Sequence, residues 1–392
     1  MTTELPLLST PAHGIPDVVD TQDGFSAACS DLNAATGPIA IDAERASGIR
    51  YGQRAFLVQL RREGAGTFLL DSETLGDLSP LNPALGEDEW VIHSVTQDLP
   101  CLQDRGMRPG ALFDTELAAR LLGWEKFGLA AVAERTLGVR LAKEHSAADW
   151  SKRPLPEEWL NYAALDVEVL LPIRDILHEA LVEADRWEYA RQEFEHLLDF
   201  EPKHRNEPWR RTHGLSKIKS RRDIARVREL WIARDAMAFE ADVAPTKILR
   251  DRDLTALAQS RVQSSDDIMR DWPKLSRADS GRLFRAYRKA GRLPVDELPS
   301  RRESGEEPRE RSPFSHADLK DRVAALKSAM GELAEELTMP HDVLLQPAIV
   351  KSLAAVGRMD VPAFLAERGA RDWQIELSTP ALTKTLESLP RA

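Results

Sequence analysis

The stretch Ile39-Ala40-Ile41-Asp42-Ala43-Glu44 constrains this chain more than any other. A short apolar run behind Gly37-Pro38 reads as a buried strand opened by a turn. Side chains alternate faces along a strand, so Asp42 and Glu44 point the same way. Two like charges on one face of a buried strand repel, and the arrangement needs positive charge from outside. A divalent cation is the simplest source, and hard carboxylate oxygens select Mg²⁺ or Mn²⁺ over softer metals.

At 392 residues the chain exceeds one ordinary core, and two or three domains are expected. Apolar residues make up 42% and charged residues 30%, the balance of a soluble globular protein. The formal net charge of -11 removes any bulk attraction to a polyanion, so contact with nucleic acid must come from local basic patches. The two cysteines, Cys29 and Cys101, lack metal-ligand spacing, which argues against a disulfide framework and a zinc knuckle and fits a reducing interior. There is no basic segment leading into an apolar core near the start, and no run of roughly 18 apolar residues. The expectation is a cytoplasmic protein without membrane association. A monomer is also expected, since nothing suggests a long apolar interface.

Hydrophobic spacing predicts strands over 18–19, 55–60, 67–70 and 90–93 besides the opening one. It predicts helices over 24–33, 115–122 and 129–137, and one long helix from 157 to about 201. Strands in a meander followed by strands interleaved with helices indicate an α/β fold, a mixed sheet with helices packed around it, over residues 1–205. Beyond Pro202 the apolar spacing is helical throughout. It indicates an all-α domain over 206–296, a Pro-, Glu-, Arg- and Ser-rich linker over 297–316, and a second all-α domain over 317–392. Identity between the two helical segments is too thin to establish a repeat.

Three later positions join Asp42 and Glu44. Asp98 follows the strand that ends at His93, at a strand-to-helix junction. Tyr162 and Asp166 are four apart on a helix and share a face. Taken singly, each has a commoner structural use: a surface acid pair, a helix cap for Asp98, an unremarkable helical pair. Their order and context together point to a converging site. Two ions about 3.5–4 Å apart could clamp the attacking and leaving oxygens of a phosphodiester, with the Tyr162 hydroxyl orienting the water.

These segments resemble the three exonuclease motifs of the DEDD superfamily, in the subclass with Tyr in the third motif, and within it the bacterial ribonuclease D family. Phe56-Leu57-Val58-Gln59-Leu60, Phe113-Asp114-Thr115 and Asp149-Trp150-Ser151-Lys152-Arg153-Pro154-Leu155 extend the likeness over residues 15 to 190. Arg45 departs from it, standing where an aromatic commonly follows the Glu. The resemblance implies a ribonuclease-H-like exonuclease fold. It implies that Asp42, Glu44, Asp98 and Asp166 hold two divalent cations, with Asp42 shared, and that Glu44 lies near the terminal 3′ hydroxyl. Tyr162 would position the water, and nucleoside 5′-monophosphates would be released.

Around this set, Gln59 is a candidate for contact with a base or ribose, against a use as a satisfied polar residue at the core rim. His93 is a candidate for the scissile region, against a hydrogen bond to nearby backbone. Asp114 reads as a helix cap rather than a further ligand. Lys143 and Arg153 read as surface charge before phosphate contacts, and Trp150 and Trp159 as core before base-stacking residues. In the helical half, Arg228-Glu229-Leu230-Trp231 and the segment near Ala244-Pro245 are similar to the HRDC module of helicases and ribonuclease D, a helical nucleic-acid-binding domain. The last segment is the candidate for a second, diverged copy, with Met339-Pro340-His341-Asp342 at the matching turn. Lys217, Lys219, Arg221, Arg222, Arg226 and Arg228 form a basic run suited to phosphate contacts, or to a solvated helix face paired with Asp223 and Glu229. The expected function is a metal-dependent 3′-5′ exoribonuclease trimming structured RNA such as tRNA precursors. A 3′-5′ exodeoxyribonuclease is the alternative. A non-catalytic nucleic-acid-binding protein ranks below both, because all five site positions are filled.

Overall fold

A computed structural model describes residues 5–142, 145, 147–202, 206–300, 312–356 and 359–390. Lys143 and positions 301–311 of the expected linker lie outside the described residues. The first part runs β1 (Leu7–Leu8), β2 (Val18–Val19), α1 (Gln22–Ala34), β3 (Ile39–Arg45), β4 (Ala55–Arg62), β5 (Gly66–Leu70), α2 (Ser72–Leu75), α3 (Asn82–Leu85) and β6 (Glu89–Ile92). It continues through α4 (Val95–Asp104), β7 (Ala111–Asp114), α5 (Thr115–Leu121), α6 (Leu129–Leu137), β8 (Arg140–Leu141), α7 (Glu157–Glu183) and α8 (Trp187–Leu198). Six strands form a mixed sheet in the order β2-β5-β4-β3-β6-β7. β3 is antiparallel to β4 and parallel to β6, so it lies inside the sheet, and Ile39, Ala40 and Ile41 are wholly buried. A strand covered on both faces reads as a continuous apolar run, which is why this segment interrupts its pattern only for the acids.

Two expectations are corrected. The single helix from 157 to about 201 is two, because the chain breaks after α7 where Asp185 takes a left-handed φ of 55°, a conformation that Asp tolerates better than most residues. The segment Ala111–Asp114 is a strand, paired with β6; four residues are too few for periodicity to identify it.

The remainder is helical, in two successions. The first is α9 (Arg221–Glu240), α10 (Pro245–Ile248), α11 (Asp251–Gln259), α12 (Ser265–Asp271) and α13 (Arg277–Arg292). The second is α14 (His316–Glu336), α15 (His341–Leu344), α16 (Pro347–Ala354), α17 (Val361–Glu367) and α18 (Asp372–Ser388). Their lengths match step for step: 20, 4, 9, 7 and 16 residues against 21, 4, 8, 7 and 17. The first set closes its own core around Trp209, Val227, Leu230, Leu254 and Leu283. The second shares one continuous core with the sheet domain. Among the described residues no helix is long and apolar enough to cross a membrane.

Candidate active site

The strand geometry does what the alternation rule requires. Asp42 and Glu44 leave β3 on one side, and α7 brings Asp166 to them. Ligand oxygens of Asp42, Glu44 and Asp166 all lie within 4.8 Å of one another. Asp166 and Glu44 are buried, while Asp42 stays partly open. Behind them Phe56, Leu57, Trp150, Leu155, Ala163 and Ala164 form a small apolar core that fixes α7 against the sheet.

Burial and mutual repulsion decide the electrostatics. Desolvation raises the Asp42 carboxyl to about 6, against a backbone hydrogen bond and the nearby Arg45 charge. Glu44 is pushed well above the usual carboxylate range, first by burial and then by the charges of Asp42, Asp166 and Asp98. Asp98 is raised well above its ordinary value by burial and by Asp42, with Arg45 opposing. Tyr162 is raised too, by burial, by the carboxylates of Asp166, Glu44 and Asp42, and by its hydrogen bond to Asp166. Three acids that resist ionisation, gathered with the Asp166 carboxylate and offering hard oxygen donors, fit a site for divalent cations.

Asp98 sits apart from the group of three. It lies inside the first turn of α4 rather than capping that helix. The cap comes from elsewhere: Asp114 accepts hydrogen bonds from the amides of Ser94 (3.1 Å) and Val95 (2.9 Å), where Ser94 has a left-handed φ of 65°. The same carboxylate caps α5 through Glu116 (2.9 Å) and Leu117 (3.0 Å), so one residue starts two helices and fixes the loop that aims Asp98. Burial lifts Asp114 to about 6 despite these bonds. Asp98 is met by Arg45, whose Nη2 lies 3.1 Å from Oδ1 while Nη1 donates to the Gln97 carbonyl at 2.8 Å.

Tyr162 and Asp166 line a pocket of about 40 Å³ with Leu129, Leu141 and Leu165. On its other side Tyr162 borders an open cleft of about 460 Å³ with Ile15, His145, Glu157 and Asn161. Tyr162 thus lines both spaces, and Asp166 the smaller one.

Several neighbouring candidates are corrected. Gln59 is the cross-strand partner of Asp42 but is wholly buried, so no base or ribose reaches it, and its amide has no hydrogen-bond partner either. His93 bonds the Thr115 hydroxyl at 2.8 Å through Nδ1 rather than the backbone, and burial depresses it to about 4. Arg153 is neither surface charge nor a phosphate contact: it makes a two-pronged pair with buried Asp71 at 2.5 and 2.7 Å and donates to the Phe56 carbonyl. Trp150 is wholly buried, as a core residue would be.

The basic run does not form one helical face. Lys217 and Lys219 precede α9 and are exposed. Arg221 donates to the Leu298 and Pro299 carbonyls, and Arg222 to those of Ala290 and Leu293, so both guanidinium groups are committed to the end of the following long helix, at 277–292, and the segment after it. A different basic surface appears on α13. Arg285, Arg288, Lys289 and Arg292, exposed and at i, i+3, i+4 and i+7, line a cleft of about 390 Å³. Of these Lys289 pairs with Glu229 at 2.6 Å. Their spacing is legible in the sequence, where the denser run at 217–228 outweighs it.

Comparison with known proteins places this geometry. Residues 16–182 match a family model described as 3'-5' exonuclease, and residues 309–386 match one described as 3' to 5' exonuclease C-terminal domain. Ribonuclease D of Acidiphilium cryptum is 28% identical over 386 residues, covering 94% of this chain and 92% of that one. A solved protein from Bifidobacterium adolescentis is 35% identical with a TM-score of 0.87, covering 98% of this chain and 100% of that one. Escherichia coli RNase D, an exoribonuclease involved in structured RNA processing, is 25% identical with a TM-score of 0.70, covering 96% and 99%.

Proposed function

This chain belongs to the ribonuclease D family of 3′-5′ exoribonucleases, and from that premise we propose that Asp42, Glu44, Asp98, Asp166 and Tyr162 are its catalytic set. The observation that carries the reading is the convergence of Asp42, Glu44 and Asp166 from a strand and a helix to within 4.8 Å, beside a tyrosine bonded to one of them.

Asp42, Glu44, Asp98 and Asp166 would hold two divalent cations, Mg²⁺ or Mn²⁺. Ions bound there would polarise the terminal phosphodiester and acidify the attacking water. Burial and the neighbouring carboxylates push the Tyr162 phenol above its ordinary range, which suits it to hold and orient the water rather than to take its proton. Its place between the cleft and Asp166 suits that task. Glu44 would meet the terminal 3′ hydroxyl. The products are nucleoside 5′-monophosphates, and the substrates are the 3′ ends of structured RNA such as tRNA precursors.

The helical regions are read as HRDC-like modules that grip the body of the RNA. The basic stripe of Arg285, Arg288 and Arg292 on α13 supports this for the first of them, because phosphate contacts add affinity without reading sequence. A cytoplasmic monomer is the proposed working form.

The test is release of nucleoside monophosphates from a 3′-extended RNA, with a matched DNA strand alongside. Asp42→Asn and Asp166→Asn are each expected to cut the rate to about one per cent or less, the scale of losing a group that serves transition-state charge. Removing divalent ions is expected to stop the reaction. An unchanged rate in either variant sinks the site assignment.

A further inference from the structure

The loop between β3 and β4, residues 46–54, starts two residues after Glu44 and meets two parts of the molecule at once. On the nuclease side Ala46 is buried, and Ile49 packs on the small apolar core around Phe56, Trp150 and Ala163, against which Tyr162 also packs. On the other side the loop is gripped by the turn that ends α9. The Ile49 carbonyl accepts the Ala244 amide at 2.9 Å, and Arg54 pairs with Asp242.

Arg50 joins the two sides. Its Nε donates to the Ser151 hydroxyl at 2.8 Å, and its Nη1 lies 3.6 Å from the Asp242 carboxylate. Ser151 in turn donates to Asp149 Oδ1, at 2.5 Å from the hydroxyl and 3.3 Å from the amide. Between these two residues stands Trp150, wholly buried, with its ring 6.4 Å from that of Tyr162. The contacts therefore run without a gap from the first helical region to the phenol, through Asp242, Arg50, Ser151 and Trp150. We propose that Arg50 is a positioning residue for Tyr162, and that docking of the first helical region sets the aim of the phenol through it. A group that orients a water must be held closely, because small misplacements cost rate steeply. Close-packed interiors transmit a displacement rather than absorb it, so Trp150 carries a shift of the 149–151 segment to its neighbours. The pair with Asp242 is partly exposed and weak by itself. Its effect is to tie α9 to a segment already fixed by hydrogen bonds. The first helical region then acts on the chemical step and not on RNA affinity alone. The inference rests on the reading of Tyr162 given above and adds what controls it.

The experiment is a single-turnover assay of the full chain with saturating enzyme and Mg²⁺ on a 3′-extended RNA, with RNA affinity measured separately. Melting curves establish that each variant is folded. Arg50→Ala and Ser151→Ala are each expected to cut the saturating rate about tenfold while RNA affinity stays as in the native protein. The double variant is expected to be no slower than the slower single one, since the two residues act as one link. Asp242→Ala, at the far end of the link, is expected to lower the same rate by a smaller factor. A native rate in folded Arg50→Ala overturns the proposal, as does a loss that lies wholly in RNA affinity. Losses that multiply in the double variant, or a native rate in folded Asp242→Ala, overturn it as well. Tyr162→Phe separates the two readings. If it is slow while Arg50→Ala is native, only the role of Arg50 falls. If it keeps the native rate, the reading of Tyr162 falls and takes this inference with it.

Discussion

The two helical successions, α9–α13 and α14–α18, are nearly equal in element lengths yet meet the nuclease domain in different ways. The second gives up its apolar surface to that domain. Trp373 is buried and stacks on Tyr189 with ring centroids 4.8 Å apart, and its indole N–H donates to Glu193. Arg371 adds two bonds to the same carboxylate, each 2.6 Å. The first closes a core of its own and docks largely through polar groups on the loop behind Arg45. Arg54 pairs with Asp242 at 2.8 and 2.9 Å, and Tyr51 donates to Asp235 at 3.0 Å. Its apolar contribution is Phe239, edge-on to Tyr51 and still mostly exposed. A shared core couples two units into one cooperative block, while exposed ion pairs contribute little and are screened by salt. One helical plan can therefore merge with the nuclease domain's core in one case and dock on it mainly through polar groups in the other, depending on a few surface residues.

The largest effect separating the two is expected at Trp373. Trp373→Ala should cost about 3–5 kcal/mol and lower the melting point of the nuclease domain together with the last five helices, in a single transition. Two separate transitions would break the idea of a common core. Next, Arg371→Ala leaves Glu193 buried beside it without its charge partner, which should cost about 3 kcal/mol in chemical denaturation. On the other copy, replacing Arg285, Arg288 and Arg292 together by Gln should leave stability alone. It should weaken RNA binding about tenfold near physiological salt and flatten the slope of log K against log salt by about 2. An unchanged slope would remove α13 as the RNA-facing surface.

The smallest effect concerns acid. The Arg54 hydrogen bonds hold Asp242 below its ordinary value, with slight desolvation opposing. A carboxyl depressed in the docked state binds its proton less readily there, so it stabilises docking above its free value near 4 and loses that contribution as pH falls through the lowered one. The pair is exposed, and at most about 1 kcal/mol is at stake. Hydrogen exchange of α9 amides should quicken between pH 5 and 3 in the native protein and be less pH-dependent over that range in Arg54→Gln. Equal acid sensitivity in both would show that the docking relies on something else.

Most of the active-site set was legible before any coordinates because it depends on periods of two and four. Asp42 and Glu44 share a strand face, and Tyr162 and Asp166 share a helix face, whatever the rest of the chain does. The α13 stripe was legible for the same reason. The fates of Gln59, Arg153, Arg221 and Arg222 were not, since each is settled by a partner between 68 and 97 residues away or, for Gln59, by what covers it.

Local periodicity thus determined which acids face one way and where the longer strands and helices lie, because those properties reside in adjacent residues. Tertiary structure alone decided that Asp98 meets Arg45, that Asp114 starts two helices at once, and that one helical copy merges with the nuclease core while its counterpart stays separate. Those outcomes depend on which surfaces come together and on a one-residue shift in strand register, and neither is written in the spacing of neighbouring side chains.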